Sequence, residues 1–312
     1  MPLSKLLFNS DTSSAQMAIT VNPSIGTQAD KIAVALNGNV VYSHFTTPAD
    51  FFLSTDKGTT QQSYSTLYGV SNFPTNFLQT GWGLFSSSQD GTILYCWYYY
   101  GFYKSINSGQ TWQLLTPTFV NNTGKRYSFM GPVSMCVASD GITLYALVKE
   151  YYNSPFRDRE WYETSNLYKS TNGGVTFNLT GPEIGYLIGS PNIYCSPNSN
   201  TIMLYVGKQS PPYVTLLKST DGGSTISNIY IDSMPFKITG NEDFSVMVAA
   251  YRVDWQGANT EFYKSTDAGS TWARIDSIPK MMTTEAVDYD LSSDGKTLFI
   301  LEQNNITTYY NF

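Results

Sequence analysis

The stretch Ser170-Thr171-Asn172-Gly173-Gly174-Val175-Thr176-Phe177 decides the fold, because it recurs. Variants stand at Ser54-Thr55-Asp56-Lys57-Gly58-Thr59-Thr60, Ser105-Ile106-Asn107-Ser108-Gly109-Gln110-Thr111-Trp112, Ser219-Thr220-Asp221-Gly222-Gly223-Ser224-Thr225-Ile226 and Ser265-Thr266-Asp267-Ala268-Gly269-Ser270-Thr271-Trp272. The pattern is S-x-D/N-x-G-x-T-W/F, and the opening serines are 51, 65, 49 and 46 residues apart. Self-similarity at this period is the mark of a repeat architecture. Each position has a local reason. The Asp or Asn side chain can accept hydrogen bonds from backbone N–H groups two residues on, forming an Asx-turn. The glycine supplies a positive φ. The Ser and Thr hydroxyls satisfy further turn groups, and the closing aromatic packs between sheets.

Each copy is flanked by short apolar runs, such as Leu167-Tyr168-Lys169 before and Gln113-Leu114-Leu115 after, so each reads as a hairpin turn between strands. A second signal alternates with the first. It is a tight turn leading into a strand, at Asp90-Gly91, Asp140-Gly141, Asn198-Ser199-Asn200 and Asp294-Gly295, with looser versions at 29–34 and 241–247. Two turn types alternating between short strands predict units of four antiparallel strands, A to D, with the first turn joining A to B and the repeated turn joining C to D.

The repeated motif resembles the Asp-box, or BNR, repeat of the sialidase and sortilin-like β-propellers, also found in xyloglucanase-type glycosidases and photosystem assembly factors. The resemblance spans most of the chain. It implies an all-β fold in which Ser54, Asp56, Gly58, Ser105, Asn107, Gly109, Trp112, Ser170, Asn172, Gly174, Phe177, Ser219, Asp221, Gly223, Ser265, Asp267, Gly269 and Trp272 are structural and not catalytic.

Six A–B signals predict a six-bladed β-propeller of four-stranded antiparallel blades, forming a single domain over 1–312. The A strands fall near 15–21, 82–87, 132–138, 190–196, 234–239 and 285–292. The last unit ends after Ile306-Thr307-Thr308-Tyr309-Tyr310 without a repeated turn. The N-terminal run Leu3-Ser4-Lys5-Leu6-Leu7-Phe8 is expected to supply its missing outer strand, which removes an open edge.

Composition narrows the function. Of 312 residues only 13% are charged and 15% are aromatic, which argues against coiled coils and against disorder. A net charge of −6 argues against a nucleic-acid partner, which would need a dense Lys/Arg surface. A Ser-His-Asp or Cys-His site would have to use the single histidine, His44, which has no nucleophile signature around it and reads instead as a solvated or hydrogen-bonded loop residue. Three cysteines, Cys96, Cys136 and Cys195, lie in strand-like runs with no C-x-x-C pair, so buried free thiols are expected and neither a metal nor a cofactor is implied. No apolar leader or membrane-spanning run is evident. No membrane insertion is expected, and the location expected is the cytoplasm or a particle such as a virion.

The A–B and C–D turns are short and regular and share one face. The B–C and D–A connections form the other face, where variable loops on a rigid scaffold carry binding residues. Four of the five arginines map there: Arg126, Arg157, Arg159 and Arg252. Trp161, Tyr162, Asp254 and Trp255 join them, and Trp82 is assigned to the same side. Aromatic planes, guanidinium groups and carboxylates suit a glycan or a protein carboxylate. The sialidase Arg-Ile-Pro motif is absent and no arginine precedes Arg126. A two-carboxylate glycosidase using Asp254, Glu285, Asp288 or Asp290 stays open. The sequence therefore favours a non-catalytic module binding a glycan or protein, with a structural component of a virion or cell-surface particle and a sialidase-like glycoside hydrolase as alternatives.

Overall fold

A computed structural model of the chain describes the strands at 18–21, 29–34, 41–46, 49–54 and 62–63. It further describes residues 84–312, apart from 89, 99–100, 122–126, 154–160, 197–199, 209–212, 231–234, 242, 253–258, 283–285, 293 and 303–305. Short runs of β-branched and aromatic residues between Gly, Asn, Asp and Ser turns give strands throughout.

In chain order, β1 is Ala18–Val21. The first sheet holds β2 (Ala29–Val34), β3 (Val41–Thr46), β4 (Ala49–Ser54) and β5 (Gln62–Ser63). The second holds β6 (Leu84–Ser87), β7 (Leu94–Tyr98), β8 (Gly101–Ser105) and β9 (Gln113–Leu115). The third holds β10 (Thr118–Val120), β11 (Tyr127–Val137), β12 (Leu144–Asn153), β13 (Trp161–Ser170) and β14 (Thr176–Leu179). The fourth holds β15 (Leu187–Cys195), β16 (Ile202–Lys208), β17 (Tyr213–Ser219) and β18 (Ser227–Tyr230). The fifth holds β19 (Pro235–Gly240), β20 (Met247–Arg252), β21 (Asn259–Ser265) and β22 (Ala273–Arg274), with β23 (Met281–Met282) also pairing with β21. The last holds β24 (Ala286–Leu291), β25 (Thr297–Glu302) and β26 (Ile306–Tyr310), joined by β1.

The chain is a β-propeller of four-stranded antiparallel blades. The innermost strands neighbour one another in turn: β2 packs beside β6, β6 beside β11, β11 beside β15, β15 beside β19, β19 beside β24, and β24 beside β2. Hydroxyl groups clasp these neighbours. Ser86 Oγ accepts from the Val137 N–H and Ser134 Oγ from the Ile193 N–H, both at 3.0 Å. Cores lie between blades, as in the cluster of Tyr95, Phe102, Val137, Leu144, Tyr168 and Phe177.

The first and last units differ from the sequence expectation. The strand that closes the last sheet is β1, with Ala18 opposite Tyr309 and Val21 opposite Ile306; the run 3–8 lies outside the described residues. Residues 15–21 therefore supply no inner strand. That place belongs to β2, which the sequence assigned to position B, and β3 was not foreseen. The reason is that 18–21 and 29–34 are both short runs with apolar, β-branched residues, which mark a strand but not its partner. In the third sheet the D–A segment 116–131 holds β10, which runs parallel to β14 at the outer edge, and the start of β11. Among the described residues no helix is long and apolar enough to cross a membrane.

Candidate functional site

The repeated turns have one geometry. In each, the opening serine is the last residue of strand C: Ser54 opposite Val41, Ser105 opposite Leu94, Ser170 opposite Leu144, Ser219 opposite Ile202 and Ser265 opposite Met247. In the four turns with described side chains the serine hydroxyl does two jobs. It donates to the Asn or Asp Oδ1 two residues on, at 2.8–3.0 Å, and accepts from the glycine N–H four residues on, at 2.8–3.0 Å. The same Oδ1 accepts from the Thr N–H four residues on, not two as expected, at 2.8–2.9 Å, because the serine hydroxyl holds it across the whole turn. Asp56 and Gly58 of the first copy lie outside the described residues. Hydrogen bonds from the Thr225 and Thr271 side chains, then from their backbones, hold the Asp221 and Asp267 carboxyls down at about 2. Of the closing aromatics, Phe177 is fully buried, whereas Trp112 and Trp272 are half-buried.

These turns also lock blade to blade. The turn glycines have φ of +84 to +93°, and their bare α-carbons face the preceding blade. A β-carbon at Gly174 would collide with Phe102, and one at Gly223 or Gly269 would stand 3.0 Å from Leu167 or Leu216. These partners all lie three residues before the opening serine of their own blade. The lysine just before that serine follows the same direction: Lys104 lies over the Tyr95 ring and would stand 3.0 Å from a β-carbon at Gly173. These contacts make this face the one that holds the ring.

The opposite face is built differently. The B–C connection of the third sheet, read from sequence as running from Lys149 to Ser165, is strand for most of its length. Pairing continues through Tyr152–Tyr162 to Asn153–Trp161, which leaves 154–160 between the strands. The β12–β13 hairpin therefore reaches further than its sisters in the other sheets, and its far half is fixed by polar contacts. Glu150, 2% exposed, accepts from Asn166 Nδ2 at 2.6 Å and from the Tyr168 hydroxyl at 2.7 Å. That hydroxyl in turn accepts from Asn121 Nδ2 at 3.1 Å. On the hairpin's other side Lys149 meets Glu163 at 2.9 Å. The next D–A connection, between β14 and β15, is tied in by Thr164, whose hydroxyl donates to Glu183 at 2.7 Å, and by the bridge between Ser165 and Gly185.

Of the residues singled out from sequence, Trp161 and Tyr162 open β13 at this tip and Arg252 closes β20 at the corresponding end of its blade. Arg126, Arg157, Arg159, Asp254 and Trp255 lie outside the described residues, as do Trp82 and Glu285. Asp288 and Asp290 both lie on β24. Asp290 accepts from the Thr239 hydroxyl at 2.7 Å and from the Leu291 N–H at 2.9 Å, which makes it another clasp between inner strands. The three cysteines are free; Cys96 and Cys136 are buried and Cys195 is half-buried.

Two features of the turn face were missed. Ile106 is 70% exposed and Val175 53%, with Ile142 and Leu114 exposed as well. Aligning the repeats gives the signal that was available. The place of Ile106 is taken by Thr171, Thr220 and Thr266, that of Val175 by Gln110, Ser224 and Ser270, and that of Ile142 by Thr92, Asn200, Ser245 and Lys296. The apolar exceptions all fall in the second and third blades. The other feature is an open cavity of about 410 Å³ against the fifth blade, lined by Lys264, Trp272, Arg274, Ser277 and Phe312 among others. Arg274, the remaining arginine, lies 3.6 Å from both Glu261 and Asp276, so its charge is balanced.

No protein-family profile and no curated protein matches the sequence. Solved structures do match the fold. A gluconolactonase from Xanthomonas campestris superposes with a TM-score of 0.57 at 15% identity, over 94% of this chain and 89% of that one. A GH74 xyloglucanase from the same organism gives 0.52 at 11%, over 94% of this chain but 53% of its own, so the present chain spans about half of that enzyme. YCF48 from Cyanidioschyzon merolae gives 0.50 at 10%, over 94% and 98%. At such identities the likeness is one of fold.

Proposed function

We propose that the repeated turn is an Asp-box, that each sheet counts as one blade of a six-bladed ring, and that the chain is a non-catalytic interaction module. Its loop face would take a glycan or a protein. The β12–β13 hairpin carries this reading. It is a stiffened arm that ends at Trp161 and Tyr162, with Arg157 and Arg159 in the sequence between its strands. Aromatic and guanidinium groups on rigid elements are what selective recognition of sugars or carboxylates requires. The contacts of Asp290 support a structural role for that carboxylate. The test is glycan-array and affinity-capture binding by the whole chain, with Trp161→Ala and Arg157→Ala as variants. Binding lost in both variants is the expected result. Turnover of a β-glucan or sialoside, abolished by Asp254→Ala, would replace this reading with a glycoside hydrolase.

The exposed apolar group on the turn face favours a second reading, a component of a larger assembly such as a virion or cell-surface particle. Isolated apolar residues on a surface mean little, but a local departure from the repeat's own polar rule suits a permanent contact. Recovery of the native chain only in a particle, with no glycan bound, would favour it.

A further inference from the structure

We propose that Cys136 and Cys195 form a dithiol site that closes into a disulfide between neighbouring blades when it meets a disulfide oxidant such as oxidised glutathione. The two cysteines lie on adjacent inner strands, β11 and β15. These strands are pinned together where Ser134 Oγ accepts from the Ile193 N–H at 3.0 Å. Both run toward the turn face, and side chains return to the same side every second residue. Two residues beyond the pin, Cys136 and Cys195 therefore fall side by side. Cys136 belongs to the core cluster of Tyr145, Leu147 and Ile202, and Cys195 packs against that same cluster. Cys96 lies in a different sheet.

Burial pushes the Cys136 thiol up, with the neighbouring Cys195 adding to the effect, so Cys136 is the poorer first nucleophile. Cys195 is the more exposed of the two and reacts first. Its thiolate attacks one sulfur of oxidised glutathione, forming a mixed disulfide and releasing one glutathione thiolate. The Cys136 thiolate then attacks Cys195 Sγ and expels the second glutathione. Two protein thiols are oxidised, one glutathione disulfide is reduced to two thiols, and the two protein protons pass to them.

The experiment incubates the folded full chain with oxidised glutathione, blocks remaining thiols after denaturation, and measures intact mass and disulfide-linked peptides. The expected result is a loss of about 2 Da before blocking, the two hydrogens of one disulfide. One blocked thiol should remain, at Cys96, with a linked peptide pair containing Cys136 and Cys195. Cys136→Ser should stop at the glutathione adduct on Cys195. Three blockable thiols, a persistent adduct on the unaltered chain, or a pair that includes Cys96 would overturn the proposal. The decisive reading comes from the unaltered chain and does not depend on how the variant folds.

Discussion

The two faces of the ring solve different problems with the same kinds of residue. On the turn face, Ser, Asn, Asp and Thr repeat one hydrogen-bond pattern in the four described turns, and Gly174, Gly223 and Gly269 each receive a side chain from the sheet before. On the loop face the polar residues do not repeat. Glu150, Asn166, Tyr168 and Asn121 form a network in the third sheet that stiffens a single hairpin. Repetition therefore marks what holds the ring, and departure from repetition marks where one blade has been given a task.

The largest effect should come from the turn face. Gly174→Ala adds a β-carbon against Phe102 at a φ of +84°. The left-handed backbone costs about 1–2 kcal/mol and the overpacking about 1–3 kcal/mol more. Chemical denaturation should show this as a loss of global stability, and an unchanged midpoint would break the claim that these turns lock the blades.

Next in size, Ser170→Ala leaves the Gly174 N–H without its acceptor and takes one of two donors from the Asn172 side-chain oxygen. The expected cost is about 1–3 kcal/mol, again in global unfolding. Glu150→Ala strips the acceptor from Asn166 and Tyr168 at a similar cost, but hydrogen exchange should place that loss in the outer half of β12 and β13. Equal loosening of all blades would erase the distinction between the faces.

A smaller effect follows from acid. The carboxyls of Asp221 and Asp267 sit at about 2 in the folded chain, below the ordinary value of 3.8. Their contribution is full above the unfolded value and is lost as pH falls from about 4 toward 2. Asp221→Asn with Asp267→Asn should flatten the loss of stability across that window, as measured by denaturation at a series of pH values.

The smallest effect belongs to the apolar exceptions. Ile106→Thr with Val175→Ser restores the repeat's polar rule at exposed positions and should shift stability by no more than about 0.5 kcal/mol. Association with a partner is what should change. A large stability loss would assign these residues to the fold.

The sequence by itself determined the architecture. Turns need particular side chains at fixed offsets, so Ser170, Asn172 and Gly174 could be read as a hairpin from their order alone, and the recurrence of that hairpin implied a propeller. Which strand closes the ring was not legible, because 18–21 is a short run with apolar, β-branched residues, as an inner strand is, and only its partner, β26, defines its place. The last sheet was read from its Asp294-Gly295 turn, but what stands in for its repeated turn was hidden for a related reason. The sheet lacks the repeated motif, yet the Asn311 N–H donates to the Lys296 carbonyl at 2.7 Å, as Ser108 does to Thr92 and Gly173 to Ile142. Asn311 also shares the positive φ of Ser108 and Gly173. That bond is made by backbone alone and leaves no signature in side chains. The rigid half of the candidate site was invisible too. Glu150 lies within the connection read as running from Lys149 to Ser165 and was not singled out, and only the packing of β12 against β13 turned it into a buried acceptor that fixes the hairpin. Local chemistry is written in residue order; which segments meet is decided by burial across the ring.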